Sequence, residues 1–429
     1  VAVVGDVLAS LLEKAGHEVT REYYINDAGG QANDLARSTH KRYLQALGHT
    51  IDDLGSYGGD YLIPVGQSLA KDVGDKWVGK EESLWLLEVR AYAIDAMMDL
   101  IRQDLAILNI HQDIFSSELA LVKAGRVEDA IENLTQKGLI YTGVLDKPKG
   151  REIADWEPRE QTLFKSEKFG DDVDRAIKKS DGSWTYFAGD MAYHLDKLNR
   201  GTPTLINVWG ADHGGYVKRL TAAVDALSEG GAKMKCVLCQ MVRFMVNGKA
   251  LKMSKRDGNF ITVKDAIEKV GLDAMRFLMV SRKNDAFLDF DFEKAVEQSK
   301  DNPVFYVQYA HARAFSIKRH IQEQFPELDL SSESLATVDF SDLDSPEFLS
   351  LIKKLSEWQR IIEMAARTYE PHRLPYYLGE LAADFHALWN KGKENTHLRF
   401  INPENKELTQ KNFALVQAVA TVIGSGLNI

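Results

Sequence analysis

The sequence predicts an α/β domain followed by an all-helical domain. Three observations carry that expectation. Helix-like and strand-like stretches alternate through Val246, short apolar runs end in glycine-rich polar loops, and long amphipathic helices dominate after Val263. In such a domain ligands sit beyond the carboxyl ends of strands, so the loops after apolar runs are where chemistry is expected.

At 429 residues the chain can hold two or three domains and a sizeable core. Hydrophobic content of 45% and charged content of 27% exclude a disordered polymer. No apolar run approaches the roughly 18 residues a membrane helix needs. A net charge of −10 excludes a generic polyanion binder, although one basic face can serve nucleic acid while the rest stays acidic. The two cysteines exclude a disulfide framework and fit a reducing cytoplasm. Cys236 and Cys239 form a lone C-x-x-C beside Val237, Leu238 and Val242, which read as a buried strand. The pair is expected in the core, and no protein-held metal is expected.

Residues 1–12 have helical spacing and lead to a strand-like stretch, 17–24. An α/β domain usually begins with a strand, so more sequence is expected upstream; the abrupt end after Gly424-Ser425-Gly426 suggests more downstream as well. A turn-rich segment, 25–30, precedes a helix through Tyr43 and Leu47, and a glycine-rich stretch covers 55–66. Leu84, Leu87, Ala91, Ile94, Met97, Met98 and Ile101 recur at helical spacing within a long helix over 83–105. From 116 to 180 the pattern changes to a short helix and a charged section with Lys165, Lys168, Lys178 and Lys179, read as an insertion. A helix within 184–198, a buried strand at 204–209, a helix at 217–227 and one or two strands in 235–246 resume the alternation. Helices are then expected over 302–320, 346–368, 373–389 and 412–422, with an acidic linker at 323–347. The expected domains are a core at 1–249, a connecting region at 250–292 and a helical domain at 293–429.

Four groups of residues can carry chemistry. Gly248 and Gly258 bracket Lys249, Lys252, Met253, Ser254, Lys255 and Arg256. Lysine is a compact point charge suited to a triphosphate, and Ser254 adds a donor; the plain alternative is a solvated basic hairpin. Asp212 and His213 end the 204–209 strand among Gly210, Gly214 and Gly215, where backbone can approach a ligand. Glu118 follows Phe115-Ser116-Ser117 and reads either as a grip for a cationic group or as an ordinary first-turn helix carboxylate. Tyr186 and Asp190 would face together as i,i+4 partners if their stretch is helical. The sequence lacks G-x-S-x-G, the P-loop pattern and G-x-G-x-x-G, which argues against those enzyme classes.

Together these segments resemble the class I aminoacyl-tRNA synthetases, and among them the bacterial arginyl enzymes. Lys252-Met253-Ser254-Lys255-Arg256 is similar to the KMSKS signature, with Arg256 where serine is usual. Arg21-Glu22-Tyr23-Tyr24-Ile25-Asn26-Asp27-Ala28-Gly29 is similar to the REYYINDAG region of that family. Gly58-Gly59-Asp60-Tyr61, Trp209-Gly210-Ala211-Asp212-His213, Asp273-Ala274-Met275-Arg276 and the helix opening Asn302-Pro303 also fit, so the likeness runs over the whole chain. The resemblance implies a Rossmann-like catalytic core with an insertion, then an all-α anticodon-binding helical bundle. It implies arginine activation with ATP and Mg²⁺ and transfer to tRNA(Arg), by a cytoplasmic enzyme expected to be a monomer. By motif match, Lys252 and Lys255 would act on the phosphates, with Met253, Ser254, Asp212 and His213 near the nucleotide. Glu118, Tyr186 and Asp190 would line the arginine pocket, and Tyr309, Arg313, Trp389 and Lys391 would meet tRNA. The first signature of the family, a HIGH-like histidine motif, does not occur in this sequence, so a piece of a longer enzyme with impaired adenylate formation is expected. Two other readings stand beside this one: a cysteine-specific enzyme of the same class, and an inactive tRNA-binding fragment.

Overall fold

The computed structural model describes residues 1–145, 159–246, 248–251, 261–341 and 343–429. Helix α1 (Ala2–Lys14) opens the chain and buries Val3, Val4, Val7, Leu8 and Leu11 along one side. The strand expected at 17–24 is shorter and lies later, as β1 (Glu22–Ile25), parallel to β2 (Ile114–Ser117). Arg21, just before β1, turns its guanidinium back to Ser10 and Glu13 of α1 while its carbonyl accepts from the Asp113 and Ile114 amides. Between these strands lie α2 (Gly29–Ala46), α3 (Leu62–Val73) and α4 (Leu86–Ile107). The glycine-rich stretch ends inside α3. Pro64 sits in its first turn, where no N–H is needed, and Gly66 touches α2 so closely that a Cβ would lie 2.5 Å from the Arg42 carbonyl carbon.

Helices α5 (Glu118–Lys123) and α6 (Arg126–Gln136) lead into an antiparallel sheet of β3 (Ile140–Val144), β4 (Glu160–Phe164) and β5 (Arg175–Ala176). Helix α7 (Tyr186–Asn199) then leads to a second, separate parallel pair. In it β6 (Thr204–Gly210) pairs with β7 (Lys233–Cys239), and α8 (Val217–Ser228) makes the crossover. Strand β8 (Val242–Val246) pairs antiparallel with β9 (Lys249–Ala250) and parallel with β10 (Leu288–Asp291). The helices α9 (Val263–Val270) and α10 (Leu272–Met279) come between β9 and β10. Strand β10 is an addition to the expected elements. Its four residues are too short for a periodicity signal, yet Leu288 and Phe290 are buried while Asp289 is exposed. Cys236 and Cys239 both lie on β7, and their odd spacing puts them on opposite faces, so they cannot chelate together. Burial raises both thiols above their ordinary range.

The short α11 (Phe292–Ala295) precedes the helical half: α12 (Pro303–Gln324), α13 (Ser332–Ala336), α14 (Pro346–Ser356), α15 (Trp358–Thr368), α16 (Arg373–Glu394) and α17 (Lys406–Leu427). The expected helix over 346–368 is thus two helices divided at Glu357, next to Lys354, whose carbonyl accepts from the Tyr377 hydroxyl. Asn302 explains the Asn-Pro motif: its side-chain oxygen accepts from the Val304 amide while its amide nitrogen donates to the Ala295 and Glu297 carbonyls. One apolar core runs from α1 through α10 and β10 into α12, α16 and α17. Arg276 pins that junction by donating to Asp6 of α1, to the Leu108 carbonyl and to the Ile429 carbonyl. No helix among the described residues is long and apolar enough to cross a membrane.

Candidate active site

The parallel strands bring loops from distant parts of the sequence to one end. After β1 comes Asp27, whose carboxylate accepts from the Ser117 hydroxyl at 2.5 Å and the Leu119 amide at 2.8 Å. Ser117 is the N-cap of α5, its oxygen accepting from the Ala120 amide. Glu118 is therefore the first residue of that helix, as the ordinary reading expects, and it is also buried. Its position on the helix and its ligand-facing potential are compatible. Asp27 supplies the local architecture that holds it there. Gly29 takes φ +76° as α2 begins, and the Tyr186 phenol lies over it, 3.5 Å from where a Cβ would stand.

From α7, Asp190 approaches the same space. Gly189 puts backbone beside Glu118, within 3.6 Å of its Oε1 for an added Cβ. Tyr216, in the 3-10 turn Ala211–Tyr216 that follows β6, donates to Asp190 Oδ2 at 2.5 Å. Tyr24 of β1 lies near enough to Glu118 for the two to influence each other's titration. Asp190 thus has a phenol donor, Glu118 has a phenol nearby, and neither forms a salt bridge among the described residues. Desolvation raises the Asp190 carboxyl to about 6, against the lowering effects of Tyr216, His213 and Lys197. Desolvation raises Glu118 too; Tyr24 lowers it, while Asp190 and Asp27 repel its charge. One buried carboxylate and one partly buried, in no salt bridge among the described residues, make an arrangement that could take a cation.

Beneath this pair lies a satisfied polar layer. Asn207 of β6 donates to His194 Nε2 at 3.0 Å, and the other ring nitrogen bonds the Asp190 carbonyl at 2.8 Å. This network assigns the proton to Nδ1, and burial pushes His194 down to about 4, so it is neutral at pH 7. Glu22 accepts from Ser116 and Arg200, and Lys197, 4.1 Å from the Tyr193 ring centre, is lowered to about 8 mainly by desolvation.

The sequence-expected residues fall into distinct groups. Glu118 and Asp190 converge. Tyr186 lies at the rim and is 60% exposed, so the i,i+4 pairing with Asp190 does not turn both side chains inward. Asp212 and His213 lie in the turn after β6, exposed and 3.7 Å apart. Lys252, Met253, Ser254 and Lys255 lie outside the described residues. In the helical half, Arg313 stacks over Tyr309 and Trp389 and hydrogen-bonds Tyr309 and His386. Lys391 bonds Glu347 at 3.2 Å. Sequence reasoning missed Tyr24, Asp27, Tyr216, His194 and Asn207. Tyr24 and Asp27 stand inside the segment 21–29, and Tyr216 sits three residues after His213. Only the strand pairing gives them their roles around the two carboxylates.

Comparison with known proteins agrees with this layout. Residues 1–313 match the family described as "tRNA synthetases class I (R), catalytic domain", and 307–429 match the "DALR anticodon binding domain". The chain is 55% identical over 429 residues to an arginine–tRNA ligase of Ruegeria pomeroyi, spanning 100% of this chain and 74% of that protein. It is 52% identical over 439 residues to the one from Rhodospirillum rubrum, again with 100% and 74% coverage. Among solved structures, one assigned as an arginyl-tRNA synthetase from Campylobacter jejuni superposes with TM-score 0.82 at 28% identity, covering 100% of this chain and 88% of that one. The Thermus thermophilus arginyl-tRNA synthetase, at 20% identity, TM-score 0.72 and 100% and 77% coverage, shares the fold.

Proposed function

The chain belongs to the class I arginyl-tRNA synthetase family, and from that membership and the buried carboxylate pair we infer its chemistry: L-arginine and ATP are joined to an adenylate, and arginine passes to tRNA(Arg) with release of AMP and pyrophosphate. The observation that carries the amino-acid assignment is the Glu118–Asp190 pair, Asp190 held by the Tyr216 phenol and neither carboxylate in a salt bridge among the described residues. A guanidinium offers five N–H donors in a planar fork, which two carboxylates on different elements can take from two sides. Lysine offers one ammonium and would leave a buried carboxylate poorly satisfied, which is costly in a desolvated site. Cysteine would leave both carboxylates without a counter-charge. The two chain cysteines also face apart on β7, so they supply no zinc site to support that reading.

Tyr186, exposed at the rim, would close over the bound side chain. Asp212 and His213 would face the nucleotide, and Lys252 and Lys255, with Met253 and Ser254 between them, would take the phosphates, their charge matching what develops as pyrophosphate leaves. Asp212 is the exposed carboxylate at this end that fits Mg²⁺, and the ion, when bound, would neutralise phosphate charge. In the helical domain, taken as 293–429, Tyr309, Arg313, Trp389 and Lys391 would present rings and charge to tRNA bases. We place the enzyme in the cytoplasm and expect it to act as a monomer. ATP–pyrophosphate exchange with arginine, lysine and cysteine, each with and without tRNA(Arg), tests the assignment. Exchange confined to arginine is expected; exchange with another amino acid in its place would overturn it. Lys252→Ala and Lys255→Ala should each lower the exchange rate with the arginine dissociation constant unchanged.

A further inference from the structure

The turn that follows β6 carries two kinds of residue. Asp212 and His213 point outward, whereas Tyr216 at its end reaches Asp190 on α7, 26 residues earlier in sequence. The Tyr216 ring is fixed edge-on against Phe187 and Trp209, with ring centres 6.1 Å away in both cases. A third ring partner is a cation, because the Arg219 guanidinium lies 4.9 Å from the ring centre. With the ring so placed, its hydroxyl donates to the Asp190 carboxylate. The main chain at Asp190 is held independently by the His194 and Asn207 bonds.

We propose that Tyr216 is a positioning residue for arginine specificity: by donating to Asp190 Oδ2 it keeps that carboxylate ionised and leaves its other oxygen aimed at the guanidinium. This rests on Asp190 being the guanidinium partner. A carboxylate near a second carboxylate tends to keep a proton, and a protonated Asp190 has no charge to offer. The groups facing it are Tyr216 and His213 from the turn, Glu118 from α5, Tyr24 from β1, and Tyr193 and Lys197 from its own helix. Desolvation favours the proton on Asp190, whereas Tyr216, His213 and Lys197 oppose it. His213 and Lys197 act on Asp190 by charge through space, while the Tyr216 hydroxyl bonds its carboxylate directly, at 2.5 Å. Removing that hydroxyl shifts the balance toward the protonated form. The loss must then depend on pH, because the ligand guanidinium stays charged throughout while Asp190 does not.

The test is the arginine dissociation constant by calorimetry on the whole protein, for wild type and Tyr216→Phe, from pH 6 to 8.5. The ratio of variant to wild type cancels effects common to both, including the discharge of Lys197. The ratio should be about 10-fold or more near pH 6.5 and shrink to about 3-fold at pH 8.5, as expected when a hydrogen bond to a charged group is lost and the proton is then removed by alkali. A ratio of one at every pH, or a ratio that does not change with pH, overturns the proposal; the latter would describe a packing role alone. Should Tyr216→Phe fail to fold, a fluorinated tyrosine at 216 decides. Its more acidic hydroxyl donates more strongly and should tighten arginine binding near pH 6, and no tightening overturns the proposal. Asp190→Asn in the same assay separates the two layers of inference. If it leaves binding unchanged, the assignment of Asp190 to the guanidinium fails. If it abolishes binding while Tyr216→Phe is silent, only the role of Tyr216 fails.

Discussion

The two polar clusters of this enzyme solve opposite problems. At the strand ends, Glu118 and Asp190 are negative, desolvated and in no salt bridge among the described residues. In the helical domain, Arg313 is positive and already stacked on Tyr309 and Trp389, with His386 and Tyr309 accepting its hydrogen bonds. The first cluster holds charge that burial makes costly. The second is satisfied alone and leaves the Tyr309 ring exposed. A small cationic ligand is best recognised by charge whose compensation is withheld, whereas a large polyanion is met by a surface that loses little when it is unbound. The acidic site should therefore be sensitive to single substitutions and to pH, and the bundle site should be tolerant of both.

The sharpest way to break this contrast is Asp190→Asn. Arginine affinity should fall about 100-fold or more, the scale expected for truncating one partner of a buried charge pair. The same change should raise the melting temperature of the ligand-free protein. The sign follows from linkage: the folded carboxyl titrates near 6, above its unfolded value near 4. The folded state thus binds the extra proton, stability falls as pH rises from 4 to 6, and the charge costs stability at neutral pH. Asparagine removes that cost. A lowered melting temperature with arginine binding intact would contradict the picture of an uncompensated charge.

Glu118→Gln should be next, weakening arginine by about 30-fold. An unchanged KM and kcat in arginine activation would remove Glu118 from the pocket. A pH series on the unmodified protein sharpens the comparison further. Arginine affinity should drop by about 10-fold per pH unit below pH 6, and binding should release protons there, visible as a heat that depends on buffer ionisation enthalpy. tRNA affinity should show no matching break at pH 6. The smallest effect is expected in the bundle. Arg313→Ala should weaken tRNA binding about 5- to 10-fold, as loss of one stacked cation implies, and reduce its salt dependence, with arginine affinity unaltered. A loss of arginine affinity in that variant would show that the two clusters are coupled rather than independent.

Much of this molecule is legible in its sequence because the signals are local. Leu84 to Ile101 at helical spacing lie in or beside α4, and the apolar run before Gly210 is β6. The Asn302-Pro303 pair starts α12 for reasons contained in a few residues. Glu118, Asp190 and the Asp212-His213 turn could be named from residue type and neighbours, and the linked motifs pointed to the family before any contact was known. Short or interrupted elements escaped: β10 is four residues long, and Glu357 divides a stretch that is periodic on both sides.

What only the tertiary structure decided is the state of the charges. A carboxylate titrates according to what stands within a few ångströms of it, and its neighbours come from β1, α5, α7 and the turn after β6. Sequence determined that Glu118 and Asp190 exist on helices. Folding determined that they come near enough to influence each other, that Tyr216 donates to Asp190, and that His194 lies neutral beneath. Desolvation and Coulomb interaction depend on distance through space, and no spacing along the chain encodes them.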